Sequence, residues 1–335
     1  MNNKIILFYH YYELDSIYKE NFIHFLKFGY CKCIDYIIII SGKITLELPL
    51  ASNLTYLYVE NKNMDIGGFS KAITKVDINL YDYFFFLNCT VRGPYLSNYE
   101  IRNWTNIYIE KFDKDVGIVG NTINILSNKS VNYINYSKKY TSINCTHVQT
   151  YLYVLNINSL NLLLENNFYN NFTNEMTKEE IIVEYEIRLS QIILNNKLNI
   201  KCILNEYNDI NYIEKHEDIN INSMNGDLLF EHCYYGRTVH PLEIIFIKTN
   251  RNLVNLYYLD KLSYSAHARL CSLKKDNNLL LDSDYTRRLI EMSVENEVVE
   301  YKESYSANEI IELTKRLVVN APQYKKIIQI LLNNN

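Results

Sequence analysis

Residues 81–94 read Tyr81-Asp82-Tyr83-Phe84-Phe85-Phe86-Leu87-Asn88-Cys89-Thr90-Val91-Arg92-Gly93-Pro94, an apolar run that stops abruptly at small polar residues. The run is too short to span a membrane and reads as a strand buried on both faces, as in a parallel sheet. Just upstream, Asn61-Lys62-Asn63-Met64-Asp65-Ile66-Gly67-Gly68-Phe69 places a glycine pair beside an acid. In open α/β sheets, ligands bind outside the carboxyl ends of the strands. Asn88, Thr90 and Arg92 would sit at such an end, and the chemistry is expected there.

Working outward, residues 4–12, 35–40, 54–59 and 83–87 read as strands, with helix-sized segments at 15–28 and 70–78 between them. Residues 61–69 read as a loop leaving the third strand. Further strands are expected at 116–122, 151–155 and 198–204. Strands alternating with helices imply βαβ units and a mainly parallel sheet. Asn158-Ser159 can cap a helix through Glu165, and Thr177 with Glu180 forms a capping box for a helix running to about Leu194. From about Leu256 glycine is absent and helical periodicity dominates. Ser306 and Glu309 form a further capping box, and Pro322 suits the first turn of a last helix. The chain is thus expected to divide into an α/β domain over residues 1–255 and a helical extension over 256–335.

The bulk properties narrow the function classes. The chain has 335 residues, 48% of them hydrophobic, and a net charge of −4. It can build a sizeable core, and without a basic block it is not expected to bind nucleic acid. Seven cysteines are scattered, and Cys31 and Cys33 have no second pair to complete a zinc site. The thiols read as core residues in a reducing compartment. The short apolar stretch after Lys4 is neither a signal peptide nor an anchor, so no membrane span and a cytoplasmic location are expected. Of nine glycines, five lie between Gly67 and Gly120, where backbone must turn sharply or approach a ligand closely.

Three constellations carry candidate chemistry. In the helix over 180–194, a hundred degrees per residue puts Ile182, Glu186, Leu189 and Ile193 on one stripe, with Ser190 on its flank and Glu184 opposite in solvent. A carboxylate on an apolar stripe costs free energy unless it is paired or functional. Glu186 is therefore a general base, an acceptor-sugar ligand, or half of a buried pair. Around the apolar segment 244–247, Lys248 and Arg251 suit a diphosphate or a solvated strand end. His240 suits a metal ligand or a structural role. Asp65 and Asn88 follow strands and could hold a nucleobase, a ribose hydroxyl or a metal-diphosphate, although Asn88 offers a hard cation an oxygen without charge. His147 and Gln149 open a strand that could face the same crevice.

Taken in order, these motifs resemble the GT-A fold glycosyltransferases, in particular a group found in large DNA viruses, algae and bacteria. That group shows Asn-x-Gly-x-Asp-x-Gly, Tyr-Asp-Tyr-x-x-Phe-Leu-Asn-x-Ser/Thr-x-Arg-Gly-Pro and Val-Gly-x-Thr-x-Asn. It continues with His-Val-Gln, Glu-x-x-Leu-Ser and His-Pro-x-Glu-x-x-Phe-x-Lys-x-Asn-Arg. The matching segments here are 63–67, 81–94, 119–124, 147–149, 186–190 and 240–251. Two departures stand out. Met64 replaces a usual glycine, which asks for ordinary backbone there, and Asn88-Cys89-Thr90 stands where GT-A enzymes commonly carry Asp-x-Asp.

The resemblance implies a GT-A, Rossmann-like, mainly parallel sheet flanked by helices. It implies transfer of a hexosyl or deoxyhexosyl unit from a nucleoside diphosphate sugar to a hydroxyl of a glycan or glycoprotein acceptor. Glu186 would be catalytic. Asp65, Gly67, Gly68, Asn88, Thr90, Arg92, Lys248 and Arg251 would bind the donor, and His147, Gln149 and Ser190 would support the acceptor. Mn2+ or Mg2+, where used, would meet Asn88 and His240. Heavy use of asparagine, isoleucine, lysine and tyrosine looks like the coding bias of an AT-rich genome, and with the resemblance it fits a viral source, the location then being host cytoplasm. The alternatives are a catalytically inactive glycan- or nucleotide-binding module of the same fold, or an assembly protein that oligomerises through its C-terminal helices.

Overall fold

In the computed structural model, which describes residues 3–272 apart from 142–144, 171, 173 and 252, the apolar run lies at the centre of a seven-stranded sheet. In chain order the strands are β1 Ile5–Tyr11, β2 Asp35–Ser41, β3 Leu54–Val59, β4 Tyr83–Asn88, β5 Val91–Arg92, β6 Val116–Gly120, β7 Ile123–Asn124, β8 His147–Val148, β9 Leu152–Asn156, β10 Asn199–Cys202 and β11 Ile247–Lys248. The main sheet runs β10-β6-β9-β4-β1-β2-β3, while β11 pairs β5 and β7 pairs β8 in two small ribbons. Within the main sheet only β9 is antiparallel to its neighbours, β4 and β6. This is the mainly parallel α/β sheet expected.

The helices explain why β4 is apolar throughout. They are α1 Ser16–Phe28, α2 Met64–Ile73, α3 Trp104–Ile109, α4 Val131–Lys139, α5 Ile157–Glu165, α6 Lys178–Ile181, α7 Arg188–Asn195, α8 Pro241–Ile244 and α9 Leu256–Ser272. Successive strand residues point to opposite faces. Phe86 meets Phe69 of α2 with ring centroids 5.3 Å apart, whereas Phe85 meets Trp104 of α3 at 5.4 Å. Likewise Tyr9 of β1 meets Phe22 and Phe25 of α1, and the next residue, His10, meets Phe69. Both faces of the sheet are covered, so no residue of the run can be polar until β4 ends at Asn88.

Several local expectations are corrected. Residues 64–69 are not loop: α2 begins at Met64, and the glycine pair lies inside it. A Cβ on Gly68 would come within 2.7 Å of the His10 ring and 2.9 Å of Ile39, so this glycine lets the helix lie close on β1 and β2. Met64 is not in ordinary backbone either; Asn63 and Met64 both take positive φ, 57° and 53°. The α5 cap is Asn156, whose side chain accepts from the Ser159 backbone N–H, rather than Asn158-Ser159. The Thr177–Glu180 capping box is formed, but a π-helical turn over Ile182–Ile187 joins α6 to α7. Segment 244–247 is the end of α8 and the entry to β11. The segment 256–272 of the expected extension is the helix α9, which packs on α1. The capping box at 306–309 and the helix after Pro322 lie outside the described residues.

Candidate functional site

A cleft of about 800 Å³ opens at the carboxyl ends of β1 and β4, lined by Asp65, Asn88, Thr90, His147, Gln149, Glu186, Lys248 and Arg251 among others. These residues span almost two hundred positions of sequence. The β4 exit supplies Asn88 and Thr90, and the first turn of α2 supplies Asp65. β8 carries His147, the π turn carries Glu186, and β11 carries Lys248. π turns recur at functional sites because they break the regular helical register.

The Asn88 corner is closed on itself. The Asn88 amide nitrogen donates to Asp65 Oδ2 at 2.8 Å, and its carbonyl oxygen accepts from the Thr90 backbone N–H at 3.1 Å and the Thr90 hydroxyl at 2.6 Å. Burial pushes the Asp65 carboxyl up to about 6; the Asn88 hydrogen bond opposes this, and the Glu186 charge adds to it. On the far wall, Asp227 accepts from Arg251 Nη1 at 2.5 Å, from Gln149 Nε2 at 3.1 Å and from the Leu229 backbone N–H at 2.9 Å. The Arg251 guanidinium also lies 4.6 Å over the Phe230 ring. Gln149 is held in turn by the Thr122 hydroxyl at 2.6 Å.

Other cleft groups keep capacity for a ligand. His147 is buried, and its Nδ1 lies 2.9 Å from the Cys145 carbonyl. A carbonyl only accepts, so Nδ1 carries the proton and Nε2 keeps an open lone pair. Burial lowers the His147 pKa, which favours this neutral form. Lys248 lies 5.2 Å over the Tyr151 ring; burial, then the Arg251 charge, lowers its pKa to about 8. The Glu186 carboxylate and the Lys248 ammonium form no hydrogen bond or direct ion pair with the described residues, although the Glu186, Asp227 and Asp65 charges favour the charged lysine. Glu184, expected in solvent, is instead paired with Lys139 and accepts a hydrogen bond from the Tyr140 hydroxyl at 2.6 Å.

Five expected site residues lie elsewhere or act indirectly. Gly67 and Gly68 are in the body of α2 and do not line the cleft. Arg92 is fully buried and bonded to Asn21 at 2.9 Å, Asp260 at 2.8 Å and Glu20 at 3.0 Å, so its guanidinium faces these partners and not a diphosphate. His240 also lies outside the cleft lining. Its Nδ1 accepts from the Leu242 backbone N–H as the α8 cap, and its Nε2 lies 3.0 Å from the Tyr258 hydroxyl. Ser190 is buried and accepts from the Val148 backbone N–H at 2.9 Å, which fixes the strand that carries His147.

Asn88 and His240 therefore do not converge on a common ligand position. The Asn88 oxygen is engaged by Thr90, and among the described residues no group of three His, Cys, Asp or Glu side chains could hold a metal ion. The residues present do not fit the Mn2+ or Mg2+ site expected from the resemblance.

Two cleft residues were missed. Asp227 had a signal in the sequence, since it follows Gly226, whose φ is +99° and where a Cβ would meet the Ile125 carbonyl at 2.1 Å. That contact seats the 224–227 hairpin against the strand exit and turns Asp227 into the cleft. Asn124 had none. It lies opposite His147 in the β7–β8 register, and its buried Oδ1 has no hydrogen-bond partner.

No protein-family model and no curated protein sequence matches the chain. Solved structures with a similar layout include a mannosyltransferase, PcManGT from Pyrobaculum calidifontis, in complex with GDP-Man and Mn2+. It is 7% identical, with a TM-score of 0.38, over 98% of this chain and 84% of that one. A glycosyltransferase involved in the glycosylation of the major capsid of PBCV-1 is 14% identical, with a TM-score of 0.31, over 59% of this chain and 81% of that one. A 4-diphosphocytidyl-2C-methyl-D-erythritol synthase from Anaerococcus prevotii DSM 20548 is 12% identical, with a TM-score of 0.33, over 64% and 94%. At TM-scores below 0.5, none of them assigns an activity to this chain.

Proposed function

We propose that the protein is a glycosyltransferase that moves a sugar from a nucleoside diphosphate sugar to a hydroxyl of a glycan or glycoconjugate acceptor. The observation that carries this reading is the pairing of unengaged groups in one cleft: a carboxylate, Glu186, and a desolvated cation, Lys248, at the carboxyl ends of β1 and β4. Transfer needs both. A base takes the acceptor proton as its oxygen attacks the anomeric carbon, and positive charge stabilises the departing diphosphate.

In this reading Glu186 receives the proton. Lys248 faces the diphosphate, and Arg251, tethered to Asp227, forms the wall beside it. Asp65 with Asn88 and Thr90 borders the nucleotide. His147 Nε2 and the Asn124 amide hydrogen-bond sugar hydroxyls. The described residues contain no helix long and apolar enough to cross a membrane, which suits a reaction with a water-borne donor.

The test is thermal shift against UDP-, GDP-, CMP- and dTDP-sugars, with and without manganese, followed by transfer assays on Glu186→Gln. Stabilisation by at least one donor is expected. In E186Q, donor affinity is expected to persist while turnover falls by roughly 10²–10⁴, the usual contribution of a positioned base. Stabilisation by none of the donors would sink the reading, and unchanged turnover in E186Q would remove Glu186 from the chemistry. The inactive-module alternative draws on one observation, the closed Asn88–Asp65–Thr90 corner. It predicts donor binding without transfer in the unmodified protein.

A further inference from the structure

We propose that the donor diphosphate is held without a divalent cation, the Lys248 ammonium supplying the positive charge in its place. The inference rests on the donor-binding reading above and concerns how that same site neutralises its ligand.

Lys248 is spliced onto the corner where β4 ends. β11 runs antiparallel to β5 with Lys248 opposite Val91, and the Thr249 backbone N–H donates to the Thr90 carbonyl at 3.1 Å. The lysine is thereby fixed opposite a residue three positions beyond Asn88, at the strand end where acids would otherwise hold an ion.

The cleft cations differ in what holds them. Arg251 is committed to Asp227, and Lys178 is exposed at the start of α6. Lys248 is desolvated, rests on the Tyr151 ring, and has no acid within bonding distance among the described residues. The Glu186, Asp227 and Asp65 charges offset part of the burial cost without touching the ammonium, and a bound phosphate oxygen would add a direct charge-assisted hydrogen bond. Lysine suits this role as a compact point charge.

A Mg2+ taken up with substrate phosphates still draws on one or two protein carboxylates. Asp227 is occupied by Arg251, Gln149 and Leu229. Asp65 accepts from Asn88 and from the Ile66 backbone N–H at 3.1 Å. Among the described residues Glu186 is the cleft carboxylate without a hydrogen bond, and it is the group the proposed transfer needs as a base. A dication would also sit against the fixed charge of Lys248.

The experiment is calorimetric titration of the full chain with the nucleotide sugar that gives the largest thermal shift. It is run once in EDTA and once in Mn2+, on wild type, Lys248→Met and Lys248→Arg. Wild-type Kd values are expected to agree within about threefold between the two buffers. K248M is expected to weaken binding by roughly tenfold to a hundredfold in EDTA, and K248R to recover most of it, because it keeps the charge. Binding in Mn2+ but not in EDTA would overturn the inference and leave the functional reading standing, as would K248M binding like wild type. Absence of binding in both buffers would overturn the functional reading itself, and the inference with it.

Discussion

Replacing Arg92 by methionine tests whether this residue builds the fold or touches the donor. Its guanidinium is fully enclosed and spans three partners, Asn21, Asp260 and Glu20, at 2.8–3.0 Å. Removing one side of a buried ion pair costs about 3–5 kcal/mol, because the remaining charge is left unpaired. Here the Glu20 and Asp260 side chains are 23% and 13% exposed, so water recovers part of that loss. The Asn21 oxygen is sealed and would be orphaned, at about 1–3 kcal/mol. The net expectation is about 3 kcal/mol, or a melting temperature lower by roughly 5–10 °C for a domain of this size. Urea denaturation reads the stability, and titration of the folded variant below its transition reads donor affinity. Stability should fall while donor Kd changes less than about threefold. A variant that melts like wild type but no longer binds the donor would refute this and return Arg92 to the site.

Asp65→Asn should stabilise the protein at pH 7.5 by on the order of 1–3 kcal/mol, since its folded-state pKa of about 6 lies above the ordinary 3.8 and the ionised form is penalised. The wild-type carboxyl contributes most below pH 4 and loses that contribution as pH rises through about 6, so the difference between the two proteins should close in acid; parallel stability curves would contradict the burial argument. Met64→Gly should raise stability by up to about 1 kcal/mol by relieving a positive φ at an L residue, measured by the shift in urea midpoint. His240→Ala should lose a helix cap, about 1 kcal/mol, yet leave donor affinity unchanged in calorimetry with Mn2+ present; a lost metal response would place His240 at the ligand after all.

The parts legible in the sequence are those governed by local pattern. The apolar run through Phe84, Phe85 and Phe86 identified a two-faced strand because each side chain must be covered by something apolar, whatever the covering helix is. The Thr177–Glu180 cap and the alternation of strands with helices were legible for the same reason, since both depend on neighbours a few residues apart. Asp65, Asn88 and Thr90 could be placed at a strand end because sheet topology puts ligands there.

What only the tertiary structure decided are the partners. Arg92 and Lys248 are both cations beside apolar residues, and no spacing distinguishes them. Arg92 turns toward α1 and α9, where Glu20 and Asp260 neutralise it, whereas Lys248 lines the cleft without a direct ion pair among the described residues. The glycine pair looked like a ligand-approach motif, but at Gly68 the close approach is to His10 and Ile39. Glu184 and Glu186, two residues apart on one π turn, were separated by whether Lys139 and Tyr140 of the neighbouring segment reach them. Sequence alone settled which residues had to be buried. Which charged groups remain free for a ligand depended on residues 24 to 168 positions away, and only the folded chain brings those together.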